Sequence, residues 1–220
     1  VAFKQSTFDL IQDQGANNVF VQPGFDADDR TFDREELREI RETVGAEGVV
    51  GNYGASARFR ERAGRTEDVS VTYTEDPRVL YEIGRGELPT NWRNSVVIRA
   101  EFADEHRLTV GDRVTLQTDE EVNGREITRE RTYRVSAVLA ETSQFGASEV
   151  FLPMERAPTD EFSEVQIAAA DATAAEAIAN ELEREFNERE SRLFILELSS
   201  LVNFFKNLVN SINLFLVALG

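Results

Sequence analysis

The chain has 220 residues, 41 acidic and 24 basic side chains, a formal net charge of −17, a single histidine and no cysteine. A chain of this length can bury about 70% of its unfolded surface, so one domain or two small lobes need no disulfide or metal staple. The composition excludes disulfides, thiol nucleophiles and thiolate zinc sites. It leaves only His106 as a fragment of any triad or zincin motif, and it repels the phosphates of nucleic acids.

The first segment, VAFKQSTFDLIQDQ, places Phe3, Thr7, Phe8, Leu10 and Ile11 on one stripe, and the spacing predicts a helix over 1–14 without a basic signal-peptide head. Gly15 to Asn18 reads as its stop, and VFVQPG as a strand closed by a turn at Pro23 and Gly24. Asp26, Asp28 and Asp29 begin like a calcium loop, but Arg30 and Thr31 stand where a ligand and the turn glycine belong, so the stretch is a solvated acidic loop. A second helix is predicted from Asp33, which can cap it, with Glu36 completing a capping box and Phe32 stapling against Leu37. Leu37, Ile40 and Val44 form its buried stripe, and Gly45 ends it.

VVGNYGASARFRER then reads as a strand in which Gly51 and Gly54 permit a bulge or a close backbone approach, and DVSVTYT as a strand with Val69, Val71 and Tyr73 alternating. Arg58, Arg60, Arg62 and Arg65 form a basic cluster, read as charge balancing on an exposed strand and turn. Gly84-Arg85-Gly86 reads as a turn, because Glu87, Leu88 and Pro89 follow where a phosphate loop needs a glycine opening a helix. Ser56 and Ser148 lack the second glycine of a nucleophile elbow.

The middle of the chain is β-rich. A strand is predicted around Val96 to Arg99, then a short helix carrying Phe102 and ending near His106, then a Gly111-Asp112 turn into a strand with Val114 and Leu116 alternating. His106 is read as a helix C-terminal or surface residue, and Trp92 and Phe145 as core or lid packing. Asn123-Gly124 is a hairpin signal leading into a strand on which Tyr133, Val135, Ala137 and Leu139 alternate inward. EVFLP is a short strand ending at Pro153.

A second strand-helix-strand unit follows: SEVQIAAA with Val165 and Ile167, a helix from about Asp171 to Glu188 with Ala175, Ile178, Leu182 and Phe186 on one face, and the strand LFILEL. The last twenty residues turn apolar. Leu201, Phe205, Leu208, Ile212, Phe215 and Leu219 recur at helical spacing, opposite Asn203, Asn207 and Asn210, and from Leu214 to Leu219 no polar residue remains. A span needs about 20 apolar residues, so this segment reads as the beginning of one or as an amphipathic helix docked on the core or on a second copy. The apolar stripe at the other end favours the first reading, with Phe3, Phe8, Ile212, Leu214, Phe215, Leu216, Val217 and Leu219 nearest the membrane.

The order of these segments resembles permeases of the MacB and FtsX-like ABC transporter superfamily. The similarity is carried by GANNVFVQPG after the first helix, Gly84 to Leu88, SVVIRAEFADEH, VGDRVTLQ, YRVSAVLAE and VFLPMERA, and by QIAAADATAAEAIANELEREF with LFILELSSL before the apolar tail. Ala137 stands where that family often has glycine. The resemblance implies an α+β extracytoplasmic core domain. A porter-like lobe would come from two strand-helix-strand units (15–76 and 159–198), with an inserted β-rich lobe (77–158) and flanking helices (1–14 and 199–220) that lead into membrane spans. It also implies a cytoplasmic ATP-binding subunit and a permease dimer as partners, with no catalytic residue, cofactor or metal in the domain itself. A secreted or tethered solute-binding module is the alternative function, and a carboxylate-dependent hydrolase ranks behind it. Acid-rich, lysine-poor composition, with Lys4 and Lys206 as its lysines, resembles proteins of salt-loving archaea.

Overall fold

A computed structural model describes residues 18–24, 31–45, 48–61, 64–122, 125–140, 148–188 and 191–197. Among these, ten strands form one continuous sheet accompanied by three α-helices. In chain order the elements are β1 (Asn18–Pro23), α1 (Arg34–Val44), β2 (Val49–Arg60), β3 (Thr66–Thr74), β4 (Ile83–Gly86), β5 (Ser95–Ile98) and α2 (Ala100–Glu105). They continue with β6 (Arg113–Val122), β7 (Arg125–Leu139), β8 (Val150–Pro153), β9 (Glu164–Ala168), α3 (Ala172–Phe186) and β10 (Leu193–Glu197).

Four strands, in the order β10-β1-β9-β2, make an open antiparallel sheet. Its apolar residues alternate onto one face, where Val19, Val21, Val165 and Ile167 are buried with Leu37 and Ile40 of α1 and Ala175, Leu182 and Phe186 of α3. The helix α1 starts as its sequence demands. Asp33 accepts the backbone N–H groups of Glu35 and Glu36, while Glu36 reaches back to the N–H of Asp33. Gly51 lies under this layer at a point where a β-carbon would stand 2.5 Å from the Phe162 ring and 2.9 Å from Leu37. The glycine is therefore required for close packing of helix on strand.

Strand β2 does not end with the open sheet. After Asn52 it pairs with β3, and at Arg58 to Arg60 it pairs with β6. The pairings then run β3 with β8, β8 with β5, β5 with β7, and β7 with β6, which closes a six-stranded barrel. Closure removes free strand edges. Inward side chains meet in register around it: Ala57 with Val69, Val71 with Val150, Val150 with Ile98, Ile98 with Val138, Val96 with Val135, Val114 with Tyr133, and Leu116 with Phe59. Phe102 and Ala103 of α2, with Leu108 just beyond it, pack against this core. The stretch 15–76 thus contributes to both parts: β1 stays in the open sheet, while β2 leaves it and β3 lies wholly in the barrel.

Two details depart from the sequence reading. The alternation expected to carry Tyr133, Val135, Ala137 and Leu139 inward breaks at Ser136. Val96 pairs with Val135 but Val97 pairs with Ala137, so one residue of β7 is extra. A one-residue slip exchanges faces. Tyr133 and Val135 face the barrel interior, whereas Ala137 and Leu139 face outward, where Leu88 and Trp92 cover them together with Val97 and Phe151. Secondly, Gly84-Arg85-Gly86 is no turn. It belongs to edge strand β4, which pairs with the end of β7, and Gly86 adopts φ +81° where a β-carbon would meet Ser136 O at 2.3 Å.

Candidate functional site

The geometry that bears most on function is where the chain enters and leaves the open sheet. β1 begins at Asn18 and its antiparallel neighbour β10 ends at Glu197, with Val19 opposite Glu197. The first and last of the described strands therefore lie side by side, with Val19 and Glu197 about 5 Å apart. The row continues sideways through Ile167 to Val49, the first residue of β2. From that row β2 runs 12 residues into the barrel, a contour of about 36 Å. Glu75 reinforces the junction: one carboxylate oxygen accepts the Gly51 N–H at 3.0 Å and also pairs with Arg41 of α1, which donates to Val49 O at 3.3 Å. Helix layer, β2 and the end of β3 are tied at one point.

The expected membrane-proximal residues Phe3, Phe8, Ile212, Leu214, Phe215, Leu216, Val217 and Leu219 lie outside the described residues, as do the acidic loop at Asp26 to Asp29, Arg62 and Phe145. Among the described residues, no helix is long and apolar enough to cross a membrane. The basic cluster is matched by acids: Arg58 bonds Asp119 at 3.0 Å, Arg60 bonds Glu130 at 3.1 Å, and Arg65 meets Glu61 at 3.0 Å. Ser148 shares a 2.8 Å hydrogen bond with Thr72. Trp92 is buried in the covering layer of the barrel.

His106 caps the C-terminus of α2, but it is not a surface residue. Its ring packs against Phe59 and Phe102, with centroids 4.8 and 4.4 Å away, and its two nitrogens face Glu61 and Glu67. Spacing along the chain could not reveal this group, because its members come from the β2–β3 connection, from β3 and from the end of α2. Elsewhere, burial pushes the Glu164 carboxyl up from its ordinary range, against the opposing effect of hydrogen bonds from Gln166 and Gln22. Burial also pushes the Tyr81 phenol up to about 12.

The MacB-like periplasmic core domain family matches residues 1–185, well over half of the chain. The chain belongs to this family. It is thus the extracytoplasmic domain of a MacB/FtsX-like ABC transporter permease. Among solved structures it is similar to the extracellular domain of the ABC-type transporter YknZ from Gram-positive bacteria. The TM-score is 0.57 at 15% identity, over 81% of this chain and 99% of that one. It is also similar to the periplasmic region of MacB from Actinobacillus actinomycetemcomitans, with TM-score 0.55 at 14% identity, over 90% of this chain and 96% of that one. At such identities the likeness establishes the shared mixed α/β fold. No curated protein matches the chain significantly.

Proposed function

We propose that this MacB-like domain is a passive mechanical part: it couples ATP hydrolysis in a separate cytoplasmic subunit to export or to control of an extracytoplasmic partner. The observation that carries this reading is the pairing of Val19 with Glu197. Two membrane helices arriving at adjacent strands of one sheet would act on it at a single place. A shift between them would then turn the sheet as a body, and β2 would carry that rotation into the barrel. In this account 1–14 and 199–220 are the membrane-proximal helices, the open sheet β10-β1-β9-β2 with α1 and α3 is the lobe nearest the membrane, and the barrel, which takes β3 and the far half of β2 from 15–76 together with strands of 77–158, is the outer lobe. A dimer of permeases provides the second copy against which the domain moves.

The test uses the full-length permease in its native membrane, with Asp68→Cys introduced on the exposed side of β3 in a cysteine-free background. Labelling by a membrane-impermeant thiol reagent on intact cells, together with co-purification of an ATP-binding subunit, is the expected result. Protection of Asp68→Cys in intact cells with labelling only after lysis, or purification without such a subunit, contradicts it.

A further inference from the structure

We propose that the cavity at the end of α2 binds one small oxyanion, a phosphate or carboxylate group on a compact molecule, a role independent of the mechanical one. The cavity encloses about 290 Å³ where the end of β2, the β2–β3 connection, the end of α2 and the start of β6 meet. Arg60, Arg65, Arg107 and Arg113 line it against two carboxylates, Glu61 and Glu105. That ratio reverses the balance of the chain, in which 41 acids face 24 bases. Guanidinium groups recognise oxyanions through paired N–H donors, and several of them around one hollow repel one another until an anion neutralises them.

The four arginines are held differently. Arg60 Nη1 donates to both oxygens of Glu130 at 3.2 and 3.1 Å, and Arg65 gives its Nε and Nη2 to one oxygen of Glu61 at 3.1 and 3.0 Å. Each is thereby fixed in place with further N–H donors to spare. Arg107 and Arg113 make no ion pair with any described residue. Arg113 also stands directly opposite Arg134 of β7, and like charges at paired positions are unfavourable in themselves. With Glu61 neutralised by Arg65 and Arg60 shared with Glu130, Arg107 and Arg113 outweigh Glu105 and leave a local surplus of positive charge. Arg107 carries a second signal. Its φ of +54° makes it the one described non-glycine residue with a left-handed backbone, just past His106, where a helix ordinarily ends in glycine. Strained residues of this kind concentrate at ligand sites. The buried side chains of Phe59 and Leu108 form an apolar wall that lowers the local dielectric and strengthens the attraction. The volume falls just below the ~300–1,000 Å³ of pockets for drug-sized ligands, which suits a compact anion with a few waters.

The test titrates the 220-residue chain with potassium phosphate, and separately with potassium succinate, at pH 7.5 with KCl holding the ionic strength constant. His106 lies in the cavity wall and is the sole histidine, so its imidazole NMR signals report the site. We expect a saturable shift at one anion per chain, the tighter of the two identifying phosphate or carboxylate as the recognised group. Arg113→Gln should lower the affinity tenfold or more. Arg107→Gly should do the same while melting no lower than the parent, because glycine takes the left-handed backbone without strain. Arg38→Gln, an equal loss of charge on the exposed side of α1, should bind as the parent does. The proposal is overturned if the His106 signals follow neither anion, if Arg107→Gly or Arg113→Gln binds as tightly as the parent, or if Arg38→Gln loses as much affinity as they do. None of these readouts involves the membrane or an ATP-binding subunit, so failure here leaves the mechanical reading standing.

Discussion

Glu164 shows how one residue sets a pH response. Its carboxyl sits on β9 opposite Asn52, and burial raises its pKa above the ordinary glutamate range. Between the ordinary value and the raised one the folded chain binds more protons than the unfolded chain, so stability falls as pH rises through that window. Glu164→Gln removes the penalty of the buried charge. The melting temperature of the variant should exceed the parent's by a few degrees at pH 7, and the difference should vanish below about pH 4. A variant less stable than the parent at both pH values would show that the hydrogen bonds from Gln22 and Gln166 outweigh desolvation. At this scale the sequence was informative wherever the signal is local: the Asp33 to Glu36 capping box, the Gly45 stop and the Asp171 cap all stand as their residue types require. It placed His106 at a helix end, where the residue stands, but it was silent on the ring's surroundings, because these are set by tertiary contact.

Among elements, β7 carries the sharpest test. Its first part pairs with β6, its last residues pair with β4, and β5 lies along its other side with the extra residue at Ser136. Insertion of one alanine after Ser136 would slip the rest of β7 by one position, driving Ala137 and Leu139 into the barrel and Val138 out of it. The expected cost is about 3 kcal/mol or more, read as a lowered denaturation midpoint, because buried side chains would lose their cavities on both faces. An unchanged midpoint would mean that the bulge carries no registry role. The period-two pattern in YRVSAVLAE announced the strand but could not announce the bulge, since Ala137, Val138 and Leu139 are apolar on either face. The same limit applies to β2. VVGNYGASARFR reads as a strand, but nothing local says that Val49 to Asn52 belong to one sheet and Ala57 to Arg60 to a barrel. Barrel closure needs the pairing of Arg58 to Arg60 with Thr115 to Gln117, a contact between residues more than fifty positions apart.

For the whole molecule, a charge of −17 is a self-repelling surface that salt screens. We read the acid excess as a salt adaptation. The melting temperature should then climb steeply between dilute and molar KCl, whereas a flat profile would reject that account. The ion pairs on the barrel, such as Arg58 with Asp119, are exposed and contribute ~0–1 kcal/mol each, so they do not offset the repulsion. The order of segments along the chain was enough to indicate the family and its mixed fold. The pairing of Val19 with Glu197 was not legible, because it joins the first and last strands of the body. In the mechanical role we propose, that pairing gives the domain a single point of attachment. Its most direct test is the distance between spin labels at Asp68→Cys in the two copies of the full-length permease, reconstituted with its ATP-binding subunit, measured by pulsed electron resonance with and without ATP. The account predicts a change of several ångströms on ATP binding that is lost when the subunit cannot bind nucleotide. An identical distance distribution in all nucleotide states would contradict it.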